Sequence, residues 1–337
     1  MKNKLLMTFL LLFIMNIFYN SIANSKEVII YTSLDQIFSE PILLEYEKKY
    51  HVNVKVVYDV EATKTTGLVN RLIAEKRRPK CDVFWNSEFA KTIVLKKIGV
   101  LARYYSPSAN DIPKQFKDKD GYWSGFAARA RILIYNTKLL KSSSLPESIF
   151  ELTSHLWKNK VALAYPLFGT TATHIAALYE LYGKKKTESY LKKLKSNQVK
   201  IVDGNSVVRD MVVEGRIPIG FTDTDDANVA IQSGKTVKML YPDQNGIGTL
   251  LIPNTISLIK NSPNPHEGKK LIDYLLSKAV ESKLSHCKSA QMPLRDDVKK
   301  PVYIPNFSSI KAMNVSYEKI AENTEVSARF CQNLFIR

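Results

Sequence analysis

The chain has 337 residues, of which 45% are hydrophobic and 24% are charged, and its formal net charge at pH 7 is +17. This composition is typical of a globular protein and excludes a largely disordered one, and the length allows two domains of ordinary size. The basic residues are scattered, and no zinc-finger, RNP or basic-zipper pattern accompanies them. We therefore expect no nucleic-acid partner, and a lysine-rich surface that either faces solvent or is attracted to an anionic membrane surface.

The first residues have the pattern of a secretory signal peptide. Lys2 and Lys4 precede an apolar run from Leu5 to Phe18, which is short for a membrane span, and small residues follow at 21–23. We predict a signal peptide over residues 1–23 that is cut after Ala23. The rest of the chain is then expected to be a soluble, monomeric, periplasmic protein.

Strands and helices alternate from residue 27 onward. Strands are predicted at 27–33, 52–60 and 81–87, and the helices that follow them at 38–50, 65–78 and 89–100. Alternation of this kind predicts an α/β fold with a mostly parallel sheet flanked by helices. In such sheets ligands bind beyond the carboxyl ends of the strands.

The second half of the chain repeats this alternation. Strands are predicted at 131–137, 160–166, 199–204, 217–223 and 248–260, and helices at 173–183, 187–196, 206–215 and 265–277. This order predicts that the chain enters a second lobe near residue 126 and leaves it near residue 255. We therefore assign 27–126 and 256–337 to the first lobe and 127–255 to the second, with a hinge at the two crossings.

Five segments together carry a family resemblance. They are VIIYTS, GLVNRLIAEKRRPKCDVFWNSE, GYWSGFAARARILIYNT, VVEGRIPIGFTDTDDA and IPNTISLIKNSPNPHEGKKLIDYLLS. In this order they resemble the extracellular solute-binding proteins of ABC importers, in the ferric-iron-binding branch of the type II periplasmic binding fold. The resemblance implies two α/β lobes that close on a ligand in the cleft between them and deliver it to an inner-membrane ABC permease. It does not fix the ligand.

Three aspartates, Asp223, Asp225 and Asp226, stand where the second lobe of the iron-binding members has a pair of adjacent tyrosines that bind Fe(III). Three interpretations stay open. Thr224 caps a helix whose dipole favours carboxylates in its first turn, or the aspartates accept an amine or hydroxyls of a ligand, or they bind a hard cation. Asp223 precedes the cap, and we expect it to touch the ligand.

Other candidate residues lie at the ends of predicted strands. An anion is expected at Gly169, Thr170 and Thr171, where a helix begins with free N–H groups, and at Arg129, which we place nearer the cleft than Arg131. His174 is expected to pack in the interior. The first-lobe ligand candidates are Thr32, Ser33, Glu61, Thr63 and Asn86, and the candidate helpers for a cation are Tyr31, Glu61 and Glu88.

Catalysis has little support in the sequence. It contains no GxSxG, HExxH or P-loop motif, so a secreted hydrolase with paired aspartates is only a rival hypothesis. We expect no cofactor, and a transported ligand that is a phosphorylated, phosphonate or carboxylate compound, with or without an amine. Fe(III) held by the carboxylates is the alternative. Of the three cysteines, Cys287 and Cys331 are the pair for which a disulfide is suggested.

Overall fold

The computed structural model of the chain describes residues 26–59 and 65–335, so the predicted signal peptide, Glu61 and Thr63 lie outside the described residues. The strands are β1 (Glu27–Thr32), β2 (Asn53–Tyr58), β3 (Val83–Asn86), β4 (Leu101–Ala102), β5 (Ser124–Asn136), β6 (Val161–Ala164), β7 (Lys200–Val202), β8 (Ile219–Asp223), β9 (Val237–Leu240) and β10 (Leu251–Ile259). The helices are α1 (Gln36–Tyr50), α2 (Thr66–Ala74), α3 (Ala90–Lys97), α4 (Gly169–Ser196), α5 (Asn205–Val213), α6 (Thr224–Gln232), α7 (Pro265–Leu275), α8 (Lys278–His286) and α9 (Tyr317–Leu334).

The strands form two sheets that share β5. The first sheet has the order β2-β1-β3-β10-β5 with β4 beside β10, and the second has the order β5-β8-β6-β7 with β9 beside β5. The outer strands pair in parallel, as predicted, whereas the ladders of β5 and β10 are antiparallel. This is the two-lobed α/β fold expected from the sequence.

Strand β5 connects the two sheets directly. Ala130 pairs with Leu251 in the first sheet, and the next residue, Arg131, pairs with Asp223 in the second. All but the first of its 13 residues are buried, because β5 is covered on both faces. A strand in this environment needs continuous apolar sequence, and the two arginines in it must therefore find partners inside the protein.

The last helix differs from its predicted assignment. Residues 256–337 were assigned to the first lobe, but α9 packs on α4, which follows a strand of the second sheet, and also on α3 of the first. Tyr317 at its start stacks on Phe89 with ring centroids 3.7 Å apart. The helix therefore joins both halves.

One local prediction is wrong and another is confirmed. The suggested disulfide is wrong, since Cys287 and Cys331 are free and pack in different hydrophobic clusters. The two helices predicted at 173–183 and 187–196 are confirmed as the two parts of α4, which is interrupted at Gly183, where φ is 71° and ψ is 171°. This is backbone that a residue with a Cβ rarely adopts. Among the described residues, no helix is long and apolar enough to cross a membrane.

The packing of α5 on β8 gives a test of the core. A Cβ added at Gly220 would lie 2.4 Å from Val208 Cγ1 and 3.2 Å from Val212 Cγ2. Gly220→Ala is therefore expected to lower the free energy of unfolding by about 1 to 3 kcal/mol, measured by chemical denaturation, because α5 must move away from the sheet. Gly246→Ala is the control, since its nearest contact would be an ordinary 3.6 Å. Equal stability of the two variants would contradict this packing.

Candidate functional site

A cleft of about 360 Å³ lies beside the carboxyl ends of strands from both sheets. The side that belongs to the second sheet is formed by the first residues of three helices, α4, α5 and α6. The opposite side is formed by the start of α1 and the loop after β3. The residues that line it are Asp35, Ile37, Phe38, Ser87, Arg129, Gly169, Thr170, Asn205, Ser206, Arg209, Asp223, Asp225, Asp226, Val229 and Lys288.

Asp223 is the centre of a buried polar cluster at the base of the cleft. Its Oδ1 accepts a hydrogen bond from Arg131 Nη1 at 2.7 Å, and its Oδ2 accepts from Thr170 Oγ1 at 2.5 Å and from Asn205 Nδ2 at 3.0 Å. Asn205 Nδ2 also donates to Thr170 Oγ1 at 2.9 Å. The start of α4, the start of α5 and strand β5 are therefore held around one carboxylate.

Arg129 connects the two sides of the cleft. Its Nη1 lies 3.1 Å from Asp225 Oδ2 and 3.6 Å from Asp223 Oδ2, on the side of the second sheet. Its Nη2 donates to the backbone carbonyl of Ser87, which follows β3 of the first sheet. Its Nε is buried and has no hydrogen-bond partner among the described residues. One N–H group of a buried guanidinium at the cleft is thus left for another acceptor.

Burial and charge act in opposite directions on this cluster. Burial disfavours the ionised form of Asp223, but the guanidiniums of Arg131 and Arg129 outweigh it and hold the pKa of Asp223 below its ordinary value. Burial likewise disfavours the charge on Arg129, and Asp225 and Asp223 raise the pKa of Arg129 above its usual range. Asp223 and Arg129 are therefore both charged at neutral pH.

The remaining two aspartates lie at the first turn of α6. Ligand oxygens of Asp223, Asp225 and Asp226 all lie within 4.8 Å of one another, a spacing that a metal ion could use. However, each has a basic neighbour, and that of Asp226 is Arg209, with Nη1 3.7 Å from Oδ1. The acidic cluster and its guanidiniums form one mixed-charge surface.

The helix cap was predicted one residue too late. Asp223, not Thr224, is the N-cap residue of α6, and its carboxylate makes no capping hydrogen bond because it faces Arg131. Thr224 is the first helical residue, and its Oγ1 accepts from the backbone N–H of Ala130 on β5 at 3.1 Å. Asp225 and Asp226 lie in the first turn, as predicted. Capping alone therefore does not explain Asp223.

The first-sheet candidates lie behind the cleft rather than in it. Ser33 Oγ donates to Asn86 Oδ1 at 2.8 Å, and Thr32 Oγ1 accepts from the backbone N–H of Leu34 at 3.1 Å. All three side chains are buried, and none lines the cleft. They lie at or just after strand ends, as predicted, but their hydrogen bonds are made within the protein and not in the cleft.

Two proposed helpers for a cation are also occupied elsewhere. Tyr31 donates to Glu75 Oε2 at 2.9 Å and packs under the guanidinium of Arg71. Glu88 is buried at the start of α3, where Oε1 accepts from the backbone N–H of Lys91 at 2.9 Å and Oε2 from Thr173 Oγ1 at 3.0 Å. Burial raises the pKa of Glu88. Neither residue lines the cleft.

Gly169 and Thr170 line the cleft, while Thr171 is buried beside it, with Oγ1 3.4 Å from Asn205 Oδ1. Sequence reasoning missed Asn205, Ser206, Arg209 and Lys288. For Asn205 and Ser206 the signal was present, because both follow β7 and begin a helix, as the threonines at α4 do. Lys288 comes from the segment after α8, and nothing in its sequence neighbourhood indicates a cleft.

Comparison with known proteins places these features in a family. A family model described as bacterial extracellular solute-binding protein matches residues 79–323. A protein of Salmonella typhi named for periplasmic 2-aminoethylphosphonate binding is 30% identical over 236 residues, which are 68% of this chain and 67% of the relative.

Solved structures agree on the fold. Iron-bound HitA from Pseudomonas aeruginosa has a TM-score of 0.83 at 20% identity, covering 92% of this chain and 100% of its own. AfuA from Actinobacillus pleuropneumoniae, with bound fructose-6-phosphate, has a TM-score of 0.81 at 21% identity, covering 92% of this chain and 98% of its own. The same architecture thus accompanies two different ligands in these two proteins.

The Asp223 cluster predicts a large mutational effect. Asp223→Asn leaves two buried guanidiniums without their shared carboxylate, so we expect a loss of about 3 to 5 kcal/mol in the free energy of unfolding, measured by chemical denaturation near neutral pH. Asp210→Asn is the control, because its pair with Arg209 is half exposed and worth at most about 1 kcal/mol. A loss no larger than that of the control would contradict the buried pairing.

His174 predicts a pH dependence. It packs, as expected, with its ring centroid 4.9 Å from that of Phe221, and burial and Arg131 hold its pKa well below the ordinary 6.5. The unfolded chain therefore binds a proton more readily, and this contribution to stability falls as the pH drops through 6.5 towards the folded pKa. Between about pH 7.5 and pH 5.5 the wild type should lose about 1.4 kcal/mol more than His174→Gln. Parallel pH profiles of the two proteins would refute this assignment.

Proposed function

Because the chain belongs to the family of bacterial extracellular solute-binding proteins, we propose that its cleft binds a small zwitterionic solute with a phosphonate or phosphate group at one end and an amine at the other. The general role follows from the family: a periplasmic receptor of an ABC transporter that binds its solute and works with a permease. The residues of the cleft support the finer statement about the solute.

Arg129 is the observation that carries this proposal. It is buried, charged and placed between the two sheets, and its Nε has no partner among the described residues. A buried N–H group without an acceptor costs about 1 to 3 kcal/mol, which an oxygen of the ligand would recover. Phosphonate and carboxylate oxygens are the acceptors that a guanidinium binds most strongly.

The helix ends support an anionic group in the same place. Gly169, Asn205 and Asp225 belong to the first turns of α4, α5 and α6, and all three line the cleft. Each helix N-terminus carries partial positive charge and has N–H groups without helical partners. Three of them around one cleft favour a ligand with several oxygens, as a phosphonate has.

The acidic residues support an amine. The cleft lining contains four aspartates, two arginines and one lysine, and Arg131 lies directly behind Asp223. With these charges in balance, a strongly anionic ligand would have to displace carboxylates from guanidiniums. A zwitterion adds no net charge, and its ammonium group can approach Asp225 and Asp226. The Salmonella typhi relative is named for binding a compound of this class.

Fe(III) bound by the aspartates is the second candidate, because their ligand oxygens lie within 4.8 Å of one another. Two features oppose it. The described lining residues include no tyrosine, and a trivalent cation on Asp225 would lie close to the guanidinium of Arg129, 3.1 Å from that carboxylate. Repulsion between these charges in a buried site is strong. The proposed receptor of a zwitterionic solute is also expected to be cleaved after Ala23, to be a monomer and to need no cofactor.

Calorimetric titration with three compounds tests the proposal. We expect 2-aminoethylphosphonate to bind more tightly than ethylphosphonate, which lacks the amine, and ferric citrate not to bind. Asp226→Asn should weaken 2-aminoethylphosphonate by about tenfold, which corresponds to about 1.4 kcal/mol, and should not weaken ethylphosphonate, because the lost carboxylate faces the amine and Arg209 rather than the phosphonate.

Asp297→Asn is the matched control, since its side chain is 65% exposed and lies outside the cleft. Stoichiometric iron in the purified protein, lost in Asp226→Asn, would replace this proposal with the ferric one. Equal affinities for the two phosphonates would remove the amine from it.

A further inference from the structure

Four lysines lie on one face of the second half of α4. Lys185, Lys186, Lys192 and Lys193 are all exposed, and at 3.6 residues per turn they lie within about 120° of one another around the helix axis. Thr187, Tyr190, Leu191 and Leu194 are buried on the opposite face. We call the four exposed lysines the lysine face.

The lysine face is not neutralised by its surroundings. Elsewhere exposed lysines pair with carboxylates, as Lys97 does with Glu322 at 2.8 Å and Lys278 with Asp297 at 2.6 Å. Among the described residues no carboxylate lies in salt-bridge contact with the lysine face. The single acid within 184–196, Glu188, accepts a hydrogen bond from Tyr179 at 3.2 Å. The positive charge of this face is therefore available to a partner.

An aromatic groove borders the lysine face on the side of Lys186 and Lys193. It has a volume of about 360 Å³, and Phe150, Tyr182, Lys186 and Lys193 are among its lining residues. Phe150 and Tyr182 meet edge to face with centroids 5.4 Å apart. Lysine beside partly exposed aromatic rings is the combination found on proteins that lie at the interface between water and lipid headgroups.

A large apolar side chain protrudes close to the end of this helix. Leu156 is 76% exposed. Its segment is held against the C-terminal end of α4 by Asn197, whose Nδ2 donates to the carbonyls of Leu152 and Ser154, each at 2.8 Å. Two more lysines of the segment, Lys158 and Lys160, are exposed. An exposed leucine in a segment that also contains exposed lysines can insert at the level of lipid headgroups.

We propose that the lysine face docks this protein on a bilayer of anionic phospholipid. The phosphate groups of such a surface complement four ammonium groups that have no carboxylate in salt-bridge contact among the described residues, and the aromatic groove and Leu156 add apolar contact at headgroup depth. The lysine face lies in the part of α4 beyond the break at Gly183, at least 16 residues from Gly169 at the cleft, and none of its lysines lines the cleft. The cleft therefore stays open to solute while the receptor is held on the membrane that contains its permease.

Vesicle co-sedimentation tests this proposal with protein purified from the periplasm. We expect the wild type to bind phosphatidylcholine vesicles that contain phosphatidylglycerol, but not vesicles of phosphatidylcholine alone. Changing Lys185, Lys186, Lys192 and Lys193 to glutamine should weaken binding at least tenfold, since each lysine near an anionic surface contributes about fivefold. Changing Lys48, Lys49, Lys235 and Lys238, which are also exposed, to glutamine is the control with the same loss of charge.

Three outcomes would overturn the proposal. The wild type does not bind the anionic vesicles, or both quadruple variants lose binding equally, or binding requires vesicles that contain the permease, which would make the lysine face a protein contact. Melting temperature and solute affinity are measured for every variant. Both should be unchanged, because none of the eight lysines lines the cleft.

Discussion

Two buried arginines on one strand impose the constraint on which the rest of the site depends. Arg129 and Arg131 are two residues apart on β5, so their side chains lie on the same face, and they are only 4% and 0% exposed. A guanidinium without a partner in such a place would cost several kcal/mol, so carboxylates must reach it. Asp223, which pairs directly with Arg131 in the ladder, and Asp225, two residues later, meet that need. An acidic cluster in a chain of charge +17 is thus the counterpart of the arginines.

The same pairing explains why ligand binding can be linked to the arrangement of the two lobes. Arg129 contacts Ser87 beside the first sheet and Asp225 beside the second. A second polar contact crosses nearby, from Thr173 of α4 to Glu88 at the start of α3. A ligand oxygen at Arg129 would therefore act on a residue that already touches both sides. A ligand that draws two lobes together must act on both sides of the cleft, and Arg129 contacts both sides.

The helices and strands could be predicted from the sequence because the spacing of apolar residues within a segment indicates which of its faces is buried. Strands β5 and β8 and helices α4 and α5 were predicted in this way. The positions of cleft residues at strand ends were predictable for the same reason, as for Thr170 and Asp223. The hydrogen-bond partners of each polar side chain could not be predicted. Asp223 is separated by 92 residues from Arg131, and Ser33 by 53 from Asn86. From local sequence alone, an aspartate or a serine at a strand end can equally well cap a helix, bind a ligand or pair with a distant residue. The packing of the strands determines which of these roles it has.

The division of basic residues between arginine and lysine follows from their hydration. A guanidinium is weakly hydrated, planar and able to donate in several directions, so it can be buried against carboxylates, as both arginines of β5 are. The ammonium group of lysine is strongly hydrated, and the lysines of α4 accordingly stay on the surface. The net charge of the chain is therefore a property of its exterior. It says little about the cleft, in which acidic and basic groups nearly balance, and a solute that carries both charges matches that interior better than one that would complement the surface.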